Sequence, residues 1–126
     1  MPKRKILLVD DEPIVQIICA ATLLKGGFEP IVAENGFDGL EAYRQNHEEI
    51  CLILSGVTMP VMDGNEMVRQ IFKVHSNANV IMMSGRDLSD SVPDDVRRLC
   101  SVVEKPFTPE KLIEAVRRCL KYDEVH

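Results

Sequence analysis

A chain of 126 residues with 45% hydrophobic and 28% charged side chains has the size of one domain. It is long enough to bury about two-thirds of the surface its unfolded form exposes. Its formal net charge of −5 argues against nucleic acid or a membrane surface as the main partner, because both reward a basic face.

The N-terminus, Met1-Pro2-Lys3-Arg4-Lys5, is basic but leads into only four apolar residues before Asp10, which is too short for a signal peptide. No run approaches membrane-spanning length, so a cytoplasmic location is expected. We expect one domain over 1–126, with its core across about 5–120.

Ile6 to Val9 is short and continuously apolar, as a strand buried on both faces would be. Pro13 suits a first helical position, and Ile14, Ile17, Ile18, Ala21 and Leu24 follow at spacings of three and four as the apolar stripe of a helix. Gly26-Gly27 ends it. Pro30 to Ala33 predicts a second strand, Asn35-Gly36 a turn, and the next stretch a helix with Leu40 and Tyr43 inward.

Ile50 to Leu54 predicts a third strand. Asp63-Gly64 opens a helix with Met67, Val68, Ile71 and Val74 on one face, and Val80 to Met83 a fourth strand follows. The stretch from Arg86 to Ser101 is the least regular. A short helix starting at Ser91 or Val92 would hold Pro93, Asp94 and Asp95 early and Arg97 and Arg98 late, a charge order that suits the helix dipole. Val102-Val103 predicts a fifth strand, and from Pro109 a last helix carries Leu112, Ile113, Val116, Cys119 and Leu120 inward.

Strands apolar on both faces, alternating with amphipathic helices, predict an α/β doubly wound parallel sheet covered by helices on each side. Cys19, Cys51, Cys100 and Cys119 are scattered without a CxxC pair. Small buried thiols are therefore expected rather than a disulfide or a metal site.

Open sheets of this kind place their chemistry at the carboxyl ends of the strands. Those ends hold Asp10, Asp11 and Glu12 after strand one, then Ser55, Gly56, Val57 and Thr58 after strand three. Ser84 and Gly85 follow strand four, and Glu104 and Lys105 follow strand five. Polar residues collect at loop ends in any such fold. Acids, a hydroxyl and a lysine converging on one rim suit a magnesium ion and a phosphoryl group in particular.

The segments Leu7-Leu8-Val9-Asp10-Asp11-Glu12, Met59-Pro60-Val61-Met62-Asp63-Gly64, Met83-Ser84-Gly85 and Lys105-Pro106-Phe107 stand in order and at proper spacing. On them the chain resembles a response-regulator receiver domain of two-component systems, from about Lys5 to Leu120. The resemblance implies a single flavodoxin-like (βα)5 domain with strand order 2-1-3-4-5, and a signalling module rather than an enzyme, with a sensor histidine kinase or phosphotransfer protein as partner. It also implies Asp10 and Asp11 as magnesium ligands with the Thr58 backbone carbonyl, Ser84 and the adjoining Gly85 as the switch and phosphate-contacting segment, and Lys105 as the phosphate-pairing lysine. Receivers pair through the fourth strand and its flanking helices, so a homodimer is admitted, although the irregular stretch falls on that surface.

The family's phosphoacceptor aspartate stands four residues before the Met-Pro proline, and here that position is Gly56. No acyl phosphate forms on a residue without a side chain. Magnesium affinity should fall with the lost carboxylate, and the fold should gain from relieved repulsion. The aromatic switch position three before Lys105 is Val102, which has no ring to rotate. Ser55 should face away from the pocket because strand side chains alternate. Thr58 has no evident general base, and Asp10 and Asp11 are better placed as metal ligands.

Two accounts of Gly56 follow. One is a phosphorylation-independent docking module; the other is a phosphorylatable receiver carrying an acquired or engineered Asp-to-Gly change. A flavodoxin-like small-molecule binder is the remaining class, but Asp10-Asp11-Glu12-Pro13 replaces the Gly-rich phosphate loop such a binder needs.

Overall fold

The computed structural model describes residues 4–85, 92–93, 96 and 99–125, with side chains described as far as residue 121. Five strands are described: β1 (Arg4–Val9), β2 (Phe28–Ala33), β3 (Ile50–Gly56), β4 (Val80–Ser84) and β5 (Ser101–Glu104). They form one sheet in the order β2-β1-β3-β4-β5, with every pair parallel. The expected strand order is the observed one. The helices among the described residues are α1 (Pro13–Lys25), α2 (Gly36–Asn46), α3 (Gly64–Val74) and α4 (Pro109–Val125).

Alternation along the strands divides the core between two faces. Leu7, Val9, Ile53 and Met82 pack with Leu40, Met67, Val68 and Ile71 under α2 and α3. Ile6, Leu8, Leu54 and Met83 pack with Cys19, Leu23, Leu112 and Val116 under α1 and α4. Each helix-covered face thus removes one set of strand side chains from water, and the continuous apolar runs of the sequence follow from that.

Local chemistry starts the helices where the turns demand. The Asn35 side chain accepts from the Asp38 N–H at 2.8 Å to cap α2, and Asp63 does the same for the Glu66 N–H at 2.8 Å on α3. Gly64 is required by close approach: a β-carbon there would stand 2.0 Å from the Gly56 carbonyl oxygen. α3 thereby starts directly against the end of β3.

The structure corrects three expectations. On α1 the buried residues are Cys19 and Leu23, whereas Ile14, Ile17, Ile18 and Leu24 are exposed, Ile14 by 69% and Ile17 by 68%. This helix is apolar around most of its circumference, and the stripe through Cys19 and Leu23 is the one that meets the sheet. Val74 is likewise exposed, because it is the last residue of α3 and lies beyond the edge of the packed surface.

The third correction concerns the cysteines. Cys100 and Cys119 form a disulfide, their Cα atoms 5.9 Å apart, while Cys19 and Cys51 take no part in one. The fold brings the two together by laying α4 back against the sheet, a proximity that a separation of 19 residues does not advertise. The short helix expected around Ser91 to Arg98 falls largely outside the described residues. Within it, Val96 is fully buried and donates its N–H to the Pro93 carbonyl at 3.1 Å.

Candidate functional site

The carboxyl ends of four adjacent strands form one rim, and strand register aligns them. Val9 pairs with Ser55, Gly56 with Met83, and Ser84 with Glu104. Asp10 follows β1, Gly56 ends β3, Ser84 ends β4, and Lys105 follows β5 with its N–H donating to the Ser84 carbonyl at 2.7 Å.

Asp10 is fully buried, and both of its carboxylate oxygens are engaged. Oδ1 accepts from the Glu12 N–H at 2.9 Å, and Oδ2 accepts from Lys105 Nζ at 2.9 Å. The Asp10 carbonyl accepts from Gln16 Nε2 at 2.6 Å, which ties the first turn of α1 to the rim. Lys105 Nζ also donates to Glu12 Oε1 at 2.9 Å, so one ammonium bridges two acids. Its partners among the described residues are thus Asp10 and Glu12.

The two members of the buried pair respond differently. Burial pushes the Asp10 carboxyl above its usual 3.8, opposed by the Glu12 N–H and by Lys105. Burial pulls the Lys105 ammonium down, but hydrogen bonds and charge from Asp10 and Glu12 outweigh this and leave it above 10.5. The asymmetry is physical. Asp10 has lost all contact with water, whereas the Lys105 side chain keeps 19% of its surface exposed.

A β-carbon placed on Gly56 would stand 2.6 Å from Asp10 Oδ2. The carboxylate of Asp10 therefore reaches into the space that any side chain at position 56 would claim. Ser55, also fully buried, donates its hydroxyl to the Gly56 carbonyl at 2.8 Å and lies near Gly64. It is turned toward the start of α3, as strand alternation predicts. Thr58 is exposed on the loop after β3, and the Ser84 hydroxyl, half-buried, donates to the Gly85 carbonyl at 3.1 Å. Val102 lies on the edge strand, 51% exposed.

Asp10, Asp11 and Glu12 each offer a carboxylate oxygen, all within 4.8 Å of one another. Three hard oxygen donors at this spacing fit a divalent cation such as Mg2+. The sequence already places Glu12 beside Asp10 and Asp11 on this rim, but its pairing with Lys105 was not singled out. Its exposure on the strand-to-helix turn gives little sign of the role.

Beside the rim, a cavity of about 450 Å³ is lined by Ile14, Val15, Ile18, Lys105, Pro106 and Phe107 among others. The exposed stripe of α1 forms one wall. The apolar spacing of these residues is visible in the sequence; that they face outward is not.

The response regulator receiver domain model matches residues 6–117. The chemotaxis protein CheY of Bacillus subtilis is 30% identical over 118 residues, spanning 92% of this chain and 97% of that protein. A CheY-like receiver domain from Methanospirillum hungatei superposes with a TM-score of 0.85 at 26% identity, covering 98% of each chain. A receiver domain from Clostridium thermocellum reaches a TM-score of 0.87 at 24% identity, over 96% of this chain and 97% of that one. No helix among the described residues is long and apolar enough to cross a membrane.

Proposed function

The chain belongs to the response regulator receiver domain family, and from that premise we propose that it signals without an aspartyl phosphate, docking a helical partner in one standing state. The observation that carries this reading is the Gly56–Asp10–Lys105 arrangement. Gly56 offers no nucleophile, Asp10 reaches toward its empty side-chain space, and Lys105 is already paired with Asp10 at 2.9 Å. Asp10 itself is a poor substitute acceptor, because it is fully buried and its oxygens are occupied by the Glu12 N–H and Lys105.

The partner in this reading is a sensor histidine kinase or a phosphotransfer protein, engaged through α1. Ile14 and Ile18 are exposed along a cavity floored by Pro106 and Phe107, and Ile17 is exposed on the same helix. An apolar stripe beside a groove suits the apolar face of a partner helix, which supplies anchors at the same spacing. Ile17→Glu should leave stability within about 0.5 kcal/mol, since the side chain meets water. It should weaken partner binding by at least about tenfold, about 1.4 kcal/mol.

Mg2+ in this reading binds weakly, through Asp10, Asp11 and Glu12 with the Thr58 carbonyl. It would supply positive charge to the rim. Lys105 competes for two of those acids, and the third carboxylate expected of the family is lacking.

A second reading has its own support. The acids, Ser84 and Lys105 still align on one rim, so an acquired Asp-to-Gly change in an otherwise competent receiver fits as well. Intact mass after incubation with acetyl phosphate and Mg2+, run on the chain and on Gly56→Asp, separates the two. A phosphoryl group gained only by Gly56→Asp favours the acquired change. A gain by neither favours the standing docking module, and a gain by the unaltered chain overturns both.

A further inference from the structure

The end of the sheet opposite the acidic rim carries a second cluster of titratable side chains. α2 and α3 both terminate there: His47 is the C-cap residue of α2, and His75 that of α3. Their imidazole centroids are 4.9 Å apart, with the ring planes inclined by 32°. The Tyr43 hydroxyl lies 2.9 Å from His75 Nδ1, and the Arg44 carbonyl oxygen lies 3.3 Å from His47 Nδ1. Both rings line one cavity of about 280 Å³, together with Asn77 and Asn79.

We propose that His47 and His75 chelate a late first-row divalent metal of the zinc and nickel class. The spacing fits. A metal–imidazole bond of about 2.0–2.1 Å places the ion roughly 3.2 Å from each ring centre, so two imidazoles on one tetrahedral ion have centroids about 5 Å apart. The observed separation is 4.9 Å.

The outer contacts of the rings suit the same role. A carbonyl oxygen facing His47 Nδ1 accepts a hydrogen bond from the Nδ1–H, which leaves the Nε2 lone pair for a metal. The Tyr43 hydroxyl holds His75 by Nδ1 and leaves the corresponding nitrogen of that ring uncommitted to it. Tyr43 is thus a positioning residue, buried at the base of the cluster.

The electrostatic setting also favours a cation. Two helix C-termini meet at the cluster, and each carries partial negative charge on its last carbonyls. Asn77, Asn79 and solvent in the cavity complete the coordination of an ion that takes its first two ligands from imidazole. Binding there would clamp α2 against α3 at the pole remote from Asp10 and Lys105, so occupancy is independent of the phosphorylation chemistry.

The test is calorimetric titration of Zn2+ into the full chain with excess Mg2+ present to occupy the acidic rim. It is repeated on His47→Gln, His75→Gln and Asp11→Asn. The expected result is one Zn2+ per chain, weakened at least about tenfold by either histidine substitution and unchanged in Asp11→Asn. Nitrogen NMR of the unaltered chain gives a readout that needs no variant: Zn2+ should shift the ring nitrogens of His47 and His75 but not of His126. Absence of saturable binding, dependence on only one of the two histidines, or loss in Asp11→Asn would each overturn the chelate.

Discussion

The carboxylate of Asp10 reaches to within 2.6 Å of the point a β-carbon on Gly56 would occupy. That contact changes what restoring an acid at position 56 should do. In Gly56→Asp the new side chain must turn Asp10 aside, which disturbs the 2.9 Å bond to Lys105 and brings a further carboxylate into the rim. Two carboxylates near 4 Å repel by about 4 kcal/mol at an effective dielectric of ~20. Without metal, Gly56→Asp should be less stable than the unaltered chain by roughly 2 kcal/mol, net of Lys105 sharing its charge. Saturating Mg2+ should recover most of this, and Mg2+ affinity should rise at least about tenfold, since the cation gains an anionic ligand. Urea denaturation with and without Mg2+ reads both. Equal stability in chelator would mean that Asp10 moves aside at no cost.

Lys105 holds the only ammonium or guanidinium seen against Asp10 among the described residues. Lys105→Met keeps most of the unbranched stem and removes the charge, leaving Asp10 buried with the Glu12 N–H alone. Breaking one side of a buried pair costs about 3–5 kcal/mol at neutral pH. The sign with pH is definite. A carboxyl whose folded pKa lies above 3.8 favours its protonated form in the folded chain, so stability lost at neutral pH returns as pH falls through the raised value. Denaturation of Lys105→Met should therefore show stability rising on mild acidification. A flat profile there would show that Asp10 finds another cation.

Cys19 makes the alkaline side testable. Burial pushes its thiol from 9.0 up to about 11, with the charge of Asp10 adding to the effect and Lys105 opposing it. The unfolded chain gives up this proton first, so stability is full below 9.0, declines as pH rises toward about 11, and levels above. Those two units correspond to roughly 3 kcal/mol. Lys105, held above 10.5, adds a loss of its own that begins near pH 10.5 and so overlaps the upper part of this window. Cys19→Ala should be less stable near neutrality because it leaves a small void. Its decline between about pH 9 and about pH 11 should be shallower by roughly 3 kcal/mol than that of the unaltered chain.

The strands were legible because the apolar runs at Ile6, Ile50 and Val80 have the length and continuity of doubly covered strands, while their order came only with the resemblance to receiver domains. The rim was legible as a set of strand ends. Less was legible on α1, where Ile14, Ile17 and Ile18 have the same spacing as buried residues yet face water. Periodicity reports that a stripe exists; when a helix carries two, only the packing partner decides which one is buried. The Lys105–Glu12 contact was hidden for a different reason. It joins residues 93 apart through a rotamer choice that no local pattern encodes. The disulfide was hidden in the same way, behind the return of α4 across the sheet.

That disulfide carries the last prediction. Cys100 donates its N–H to the Val80 carbonyl at 2.8 Å just before β5 begins, and Cys119 is buried on the inner side of α4. Their bond ties the edge strand to the last helix across a separation of 19 residues. A cross-link of that span restricts the unfolded chain by about 3 kcal/mol. Under reductant the unaltered chain should lose about this much, a fall in Tm of roughly 10 °C for a domain of this size. Cys100→Ser should show the lowered stability without reductant and ignore its addition. This comparison separates the bond from mere packing, because Cys100→Ser leaves Cys119 in its buried place. If reductant lowers both proteins equally, or neither, the bond contributes nothing and α4 is held by Leu112, Val116 and Leu120 alone.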